Sequence, residues 1–269
     1  MLPPTPIPAV PSGQPSGGIA VKAPFLEARE ISKNYGHVVA LNGASFSAEQ
    51  GEVVALVGDN GAGKSTLVKQ LAGIEQPDSG HILIDGQEVK LTSPEVARHY
   101  GIEIVYQDLA LAGDLNTPEN MFLGREIRRG GVWGKMGFLN RPKMQAEAVA
   151  TLARLGVTLK DPNVPTHSLS GGQQQSIAVA RAVAFATKAV FMDEPTAALG
   201  VNQTRRVLDL IRAVRDAGTA VILISHNMPE VIEVADRIEV LRHGRRVARF
   251  RAEDATVSDL VAAMTGDLG

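Results

Sequence analysis

The run Val53-Val54-Ala55-Leu56-Val57 is apolar throughout and breaks directly into Gly58-Asp59-Asn60-Gly61-Ala62-Gly63-Lys64-Ser65-Thr66. Helical spacing resumes at Leu67-Val68-Lys69-Gln70-Leu71. A buried strand that turns through glycines into a helix leaves a chain few folds to adopt. The glycines permit positive φ and let backbone N–H groups crowd around an anion, and the helix N-terminus adds its partial positive charge. Gly58, Asn60, Gly61, Ala62, Gly63 and Thr66 would form the cradle, Lys64 would reach the terminal phosphates, and the Ser65 hydroxyl would ligate Mg²⁺. A plain connecting turn needs neither a lysine nor a hydroxyl at these two positions. The segment is read as a phosphate-binding loop for a nucleoside triphosphate.

The rest of the chain suits such a site. From Phe25 the pattern is globular, with strands expected at 25–31, 44–47, 81–84 and 102–106 and a helix at 142–155. After Ser170 the chain alternates: helix 172–186, strand 189–192, helix 202–217, strand 221–224, helix 229–235. Alternation of this kind implies an α/β fold, a mainly parallel sheet with helices on both faces. Residues 238–250, turning at His243-Gly244, read as a hairpin. Residues 1–24 carry Pro3, Pro4, Pro6, Pro8, Pro11 and Pro15 and are expected to be a disordered extension, leaving 25–269 as the folded unit. The 269 residues suit one large domain or two small ones, and no internal repeat suggests a second nucleotide unit. With 27 basic against 29 acidic residues, no global field favours nucleic acid or an anionic surface. Cysteine is absent, so thiolate metal sites and disulfides are excluded. No apolar stretch approaches the ~20 residues of a membrane span, so the chain is expected to be soluble, with any membrane role reached through a partner.

Two further motifs complete the site. Lys188-Ala189-Val190-Phe191-Met192-Asp193-Glu194 is a strand ending in two carboxylates. Asp193 is placed to organise Mg²⁺ and Glu194 to polarise the attacking water. Leu169-Ser170-Gly171-Gly172-Gln173 opens a helix, with Ser170 as N-cap and two glycines leaving the N-terminus bare for a phosphate. Together with the phosphate loop, this pentapeptide resembles the signature of the ATP-binding cassette (ABC) ATPases, and the resemblance covers residues 25–260.

The resemblance implies a P-loop NTPase core, an N-terminal antiparallel β subdomain and an inserted α-helical subdomain at about 108–168, with ATP and Mg²⁺ as ligands. It implies that Tyr35 stacks on adenine, that Gln107 senses Mg²⁺ and the attacking water and hinges the helical subdomain, and that His226 contacts the γ-phosphate. Two copies would associate head to tail, so that Ser170, Gly171, Gly172 and Gln173 of one copy face the ATP held by Lys64 of the other. One position departs from the pattern: after Ala197-Ala198-Leu199 the family commonly has an aspartate, and this chain has Gly200. Hydrolysis should survive that change, while coupling between the two sites loses a carboxylate.

The runs at 107–111 and 116–126, with Glu194-Pro195-Thr196-Ala197-Ala198-Leu199-Gly200-Val201, resemble bacterial monosaccharide importers of the ribose, xylose and fructose type. The implied partners are integral membrane permease subunits and, indirectly, a periplasmic or extracellular sugar-binding protein, with the cassette peripheral on the cytoplasmic side of the inner membrane. Two alternatives stand beside this: a soluble ABC ATPase acting on ribosomes or DNA, and a cassette for non-sugar cargo. Arg242, Arg245, Arg246, Arg249 and Arg251 on the hairpin are read as a solvated face, not as a nucleic-acid patch.

Overall fold

The computed structural model describes residues 24–105, 109–197 and 199–267. The expected disordered extension, except Pro24, and Gln107 therefore lie outside the described residues, as does Ala198. The elements in order are β1 (Leu26–Tyr35), β2 (Val38–Ala48), β3 (Val53–Val57), α1 (Lys64–Leu71), β4 (Ser79–Ile84), β5 (Gln87–Val89), α2 (Pro94–His99) and β6 (Ile102–Val105). There follow α3 (Thr117–Met121), α4 (Gly131–Lys135), α5 (Arg141–Arg154), α6 (Gly171–Phe185), β7 (Ala189–Asp193), α7 (Val201–Asp216) and β8 (Ala220–Ile224). The described chain finishes with α8 (Met228–Val234), β9 (Arg237–Arg242), β10 (Arg245–Arg251) and α9 (Val257–Thr265).

The strands form two sheets. One has four antiparallel strands in the order β2-β1-β4-β5; the other has six, in the order β10-β9-β3-β8-β7-β6. In the larger sheet β9, β3, β8, β7 and β6 run parallel and β10 closes one edge antiparallel. Its central strands are buried on both faces, and the period-2 alternation of a strand divides their side chains between two cores. Val53, Ala55 and Val57, with Val190, Met192, Val221 and Leu223, meet the core built on α6, α7, α8 and α9. Val54 and Leu56, with Phe191, Ile222 and Ile224, meet the core shared with α1 and the antiparallel sheet. That double burial explains why these strands are apolar throughout, up to the Asp193 that ends β7 at the sheet edge.

The insertion between β6 and α6 contributes α3, α4 and α5, and its apolar faces (Met121, Phe122, Met144, Ala148, Leu152) join the first core. The fold is thus the expected one, with an antiparallel sheet and a helical insertion around a mainly parallel sheet. Several elements differ in extent. The first two strands run on to Tyr35 and back to Val38, because their pairing carries register shifts between Ala28 and Asn34 that let one long hairpin bend. Helix α2, strand β5 and helix α9 escaped the sequence reading. They are short, and α2 is specified by Ser93 capping and Pro94 at its first turn, not by an apolar stripe.

Two of the exposed hairpin arginines, Arg246 and Arg249, also reach inward to a buried acid on β9. Glu239 on β9 is fully buried and pairs with Arg237, with Arg246 at 3.3 Å and with Arg249 at 2.8 Å. Arg237 also holds both carboxylate oxygens of Glu52, at 2.7 and 2.9 Å, and donates to the Ser47 carbonyl at 2.8 Å. This cluster ties the hairpin edge to β2 and to the turn before β3. Removing one member of a buried ion cluster strands the others. Glu239→Ala is expected to cost about 3–5 kcal/mol in urea unfolding. An unchanged midpoint would show that the arginines reach solvent without it.

Candidate active site

Parallel register brings the site together. Leu56 on β3 pairs with Ile224 on β8, and Ile224 pairs with Asp193 on β7. The residues just beyond these three, Gly58, His226 and Glu194, therefore leave the sheet at one edge, where open parallel sheets present their ligand crevice.

The loop from Gly58 to Gly63 enters α1 with Gly63 as N-cap at φ 102°. A Cβ at Gly63 would lie 2.6 Å from the Ala40 carbonyl oxygen, so this glycine answers both a left-handed turn and a close approach to β2. Lys64 folds back over the loop, its Nζ donating to the carbonyls of Gly58 at 2.7 Å and Asp59 at 3.1 Å. Burial pushes the Lys64 ammonium pKa down, and the carboxylates of Glu194, Asp193 and Asp59 oppose that shift. Burial pushes Asp193 up, with Glu194 adding to the rise and Lys64 opposing it. Lys64, Asp193 and Glu194 thus share one weakly solvated electrostatic neighbourhood. Ser65 and Thr66 follow in the first turn of α1.

Glu194 adopts φ 49°, uncommon for a residue with a side chain. Its N–H donates to the Ile224 carbonyl at 2.9 Å, which clips the end of β7 to β8. Its Oε1 lies 2.8 Å from His226 Nδ1. Glu194 is mostly shielded while His226 is mostly exposed, so the pair has an inner carboxylate and an outer imidazole. Glu230 ties together the segments that follow them, accepting from the Thr196 hydroxyl at 2.5 Å and from Asn227 Nδ2 at 2.7 Å. The sequence reading missed Glu230, although its spacing from Asn227 is that of a capped helix start.

Tyr35 stands at the end of β1, about half exposed, with its hydroxyl bonded to Glu75 and Thr66 alongside. That places its ring beside the start of α1. The Ser170–Gln173 segment is elsewhere. Ser170 caps α6, and Ser170 and Gln173 exchange side-chain and backbone bonds at 3.4 and 3.0 Å. Ser170, Gly172 and Gln173 line a cavity with Gln203 and Arg206 of α7, and no residue of the phosphate loop or of the strand tips lines it. The single chain therefore does not bring these residues to Lys64.

Three packing features were not legible in the sequence. A Cβ on Gly172 would fall 2.9 Å from Gln203 Cγ, so its bareness serves the α6–α7 contact as well as access to the helix end. Gly200 caps α7 with no side chain to accept from the first turn, while the Gln203 side chain reaches back to accept the Gly200 N–H at 3.2 Å. Arg181 on α6 donates to the carbonyls of Leu109 at 2.8 Å and Ala110 at 2.8 Å. It thereby ties the signature helix to the backbone just after Gln107.

A nucleotide-binding parallel sheet with a helical insertion and a separate, capped signature helix defines a cassette ATPase. A family model described as ABC transporter matches residues 41–197, and the chain belongs to this family. Among curated relatives, the fructose import ATP-binding protein FrcA of Rhizobium meliloti is 52% identical over 245 residues, covering 90% of this chain and 94% of the relative. The xylose/arabinose import ATP-binding protein XylG of Sulfolobus acidocaldarius is 46% identical, covering 90% and 94%. The ribose import ATP-binding protein RbsA of Rhodococcus jostii is 41% identical over 91% of this chain but only 48% of its own length. Among solved structures, cbiO1 of Clostridium perfringens, part of the ABC transporter complex cbiONQ, superposes with TM-score 0.74 at 26% identity, covering 92% of this chain and 96% of that one.

Two outcomes follow from the geometry. Asp193 sits above its ordinary carboxylate pKa in the fold, so its ionised form costs stability above the unfolded value of 3.8. Asp193→Asn should raise the stability of the nucleotide-free protein at neutral pH, with the gain vanishing as pH falls below the unfolded value in thermal melts taken across pH. Gly172→Ala should lower the melting temperature by a few degrees, roughly 1 kcal/mol, through its clash with Gln203. Gln203→Ala in the same chain should recover part of that loss.

Proposed function

We propose that this chain is the ATP-hydrolysing subunit of an importer that energises monosaccharide uptake through separate integral membrane permease subunits. The observation that carries the cargo assignment is the near full-length match, at 52% identity, to a fructose import ATP-binding protein. The cassette would work as a peripheral subunit on the cytoplasmic side of the membrane, supplied from outside by a sugar-binding protein.

The roles follow the geometry. Gly58, Asn60, Gly61, Ala62 and Gly63 offer the phosphates backbone N–H groups, with Ser65 and Thr66 opening the helix behind them. Lys64, released from the Gly58 and Asp59 carbonyls, would turn to the terminal phosphates. Tyr35 would meet the adenine. Glu194 takes the proton of the attacking water, and His226, 2.8 Å from that carboxylate, orients it and reaches the γ-phosphate. Hard oxygen donors suit Mg²⁺, which usually takes one or two protein ligands and leaves the rest to phosphate and water. The Ser65 hydroxyl and the half-buried Asp193 carboxylate fit that need, and Gln107 would join them. The ion would neutralise charge on the phosphates.

Because Ser170, Gly171, Gly172 and Gln173 stand apart from Lys64, they are assigned to the ATP of a second copy, in a head-to-tail dimer closed by ATP and reopened by hydrolysis. The helical subdomain at about 108–168, within a folded unit spanning 25–269, would face the permease. The groove between α2, β6 and α6, lined by Arg98, Ile104, Met121, Arg125 and Phe185, supports this docking reading, since it lies between subdomain and core.

Glu194→Gln should keep ATP binding and lower hydrolysis by about 100-fold or more, while Lys64→Ala weakens nucleotide binding itself. Equilibrium nucleotide binding and single-turnover hydrolysis separate the two. Native hydrolysis by Glu194→Gln would remove Glu194 from the role of base. For the cargo, labelled ribose, xylose, fructose, galactose and arabinose should be offered to cells deleted for the gene. Uptake of one sugar restored by the native chain and not by Lys64→Ala is the expected result.

A further inference from the structure

The segment between Ile127 and Asn140 leaves the helical subdomain as a small closed loop built around α4. The Arg128–Leu139 bridge closes its neck, with Arg129 N–H donating to the Phe138 carbonyl at 2.9 Å and Asn140 N–H to the Ile127 carbonyl at 2.6 Å. Inside it, Phe138 N–H meets the Trp133 carbonyl at 3.0 Å and Met136 N–H the Val132 carbonyl at 3.1 Å. At its base Arg125 bonds Glu103 at 2.7 Å and stacks over the Phe185 ring at 4.2 Å. The loop is therefore held in shape by its own backbone and fastened to β6 and α6.

This shape points apolar side chains outward. Val132, Trp133, Met136 and Phe138 are 69, 59, 56 and 50% exposed, and the Trp133 and Phe138 rings pack edge to face at 5.4 Å. A cluster of four large apolar side chains on one protruding loop exceeds the scattered exposure normal to a protein surface. Cations surround it. Arg128, Arg129 and Lys135 are exposed and make no ion pair among the described residues, in contrast to Arg125, Arg141 and Lys143 on the loop's flanks. The acid beside them, Glu126, accepts from the Gly124 N–H at 2.9 Å and feels Arg128 only through space, which helps hold its carboxyl below the usual range.

We infer that this loop is a contact site for anionic phospholipid, seating Trp133, Met136 and Phe138 at the headgroup level while Arg128, Arg129 and Lys135 meet lipid phosphates. Amphipathic aromatic rings favour the membrane interface, and basic residues beside them gain from the negative surface potential of the cytoplasmic leaflet. The charge also decides between lipid and a permease loop. Cytoplasmic loops of membrane proteins carry an excess of lysine and arginine, which would repel this patch, whereas anionic headgroups attract it. The inference rests on the proposed place of the cassette at the membrane. Vesicle binding needs neither hydrolysis nor sugar uptake, so either idea can fail without the other.

The sequence supplies the probe, since Trp133 is the chain's single tryptophan. The purified full chain should be titrated with phosphatidylglycerol vesicles and with phosphatidylcholine vesicles, following tryptophan emission and co-sedimentation. A blue shift and sedimentation with phosphatidylglycerol are expected, both at least about tenfold weaker on neutral vesicles or in high salt. The triple variant Arg128→Glu/Arg129→Glu/Lys135→Glu should weaken binding by at least about tenfold, and Met136→Ser/Phe138→Ser should abolish the blue shift. Nucleotide binding by both variants should match the native chain, which reports that they fold. Absence of a shift on phosphatidylglycerol overturns the inference. So does binding that ignores the charge reversal, or a shift that appears only with detergent-solubilised permease and no vesicles.

Discussion

Parallel pairing of β3, β8 and β7 is the constraint on which the site depends. Hydrogen bonds fix Leu56 against Ile224 and Ile224 against Asp193. The phosphate loop, the carboxylate pair and the histidine are separated by long stretches of sequence, yet they emerge at one sheet edge because strands that run parallel end on the same side. A slip of one residue would turn every side chain to the other face and would exchange the two cores. Burial on both faces makes such a slip costly, so the cores that stabilise the sheet also hold the chemistry in place.

The groups gathered at that edge are poorly solvated. Burial pushes Lys64 toward its neutral form and Asp193 toward its protonated form, and each is the other's partial remedy. Glu194 sits at a backbone angle that side chains seldom adopt. Strain and desolvation of this sort persist only where the surrounding structure over-determines them, and here Ile224, His226 and Glu230 do so. A polyanionic ligand with a divalent cation would relieve both charges at once, which gives nucleotide binding a physical source of affinity beyond the loop itself.

The signature segment shows a different economy. Gln203 fills the space left by Gly172 and accepts the Gly200 N–H, so one side chain joins the start of α6 to the start of α7. The glycine in place of an aspartate at 200 is therefore accommodated by local packing. No side chain at that position accepts from the first turn of α7, and the helix start loses a negative charge. Arg181 extends the same helix toward the backbone at Leu109 and Ala110. The signature helix thus touches both α7 and the strand-to-insertion loop, and a displacement of α6 would be felt at each.

Much of this was legible in the sequence, for local reasons. The apolar run before Gly58, the spacing from Gly58 to Thr66, the strand ending in Asp193-Glu194 and the Ser170 cap are specified by neighbours only a few residues away, and backbone propensity and capping act over that range. Short elements with polar sequences, such as α2 and β5, lack the periodic signal and were missed. What only the tertiary structure decided lies between distant residues. Examples are the contact of Glu194 with His226, the support from Glu230, the burial of Glu239 among hairpin arginines, and the outward turn of Trp133 and Phe138. In each case the partners, or the side of the fold they face, depend on how sheets and helices stack. A sequence states which residues are apolar or charged; stacking determines which of them water can reach.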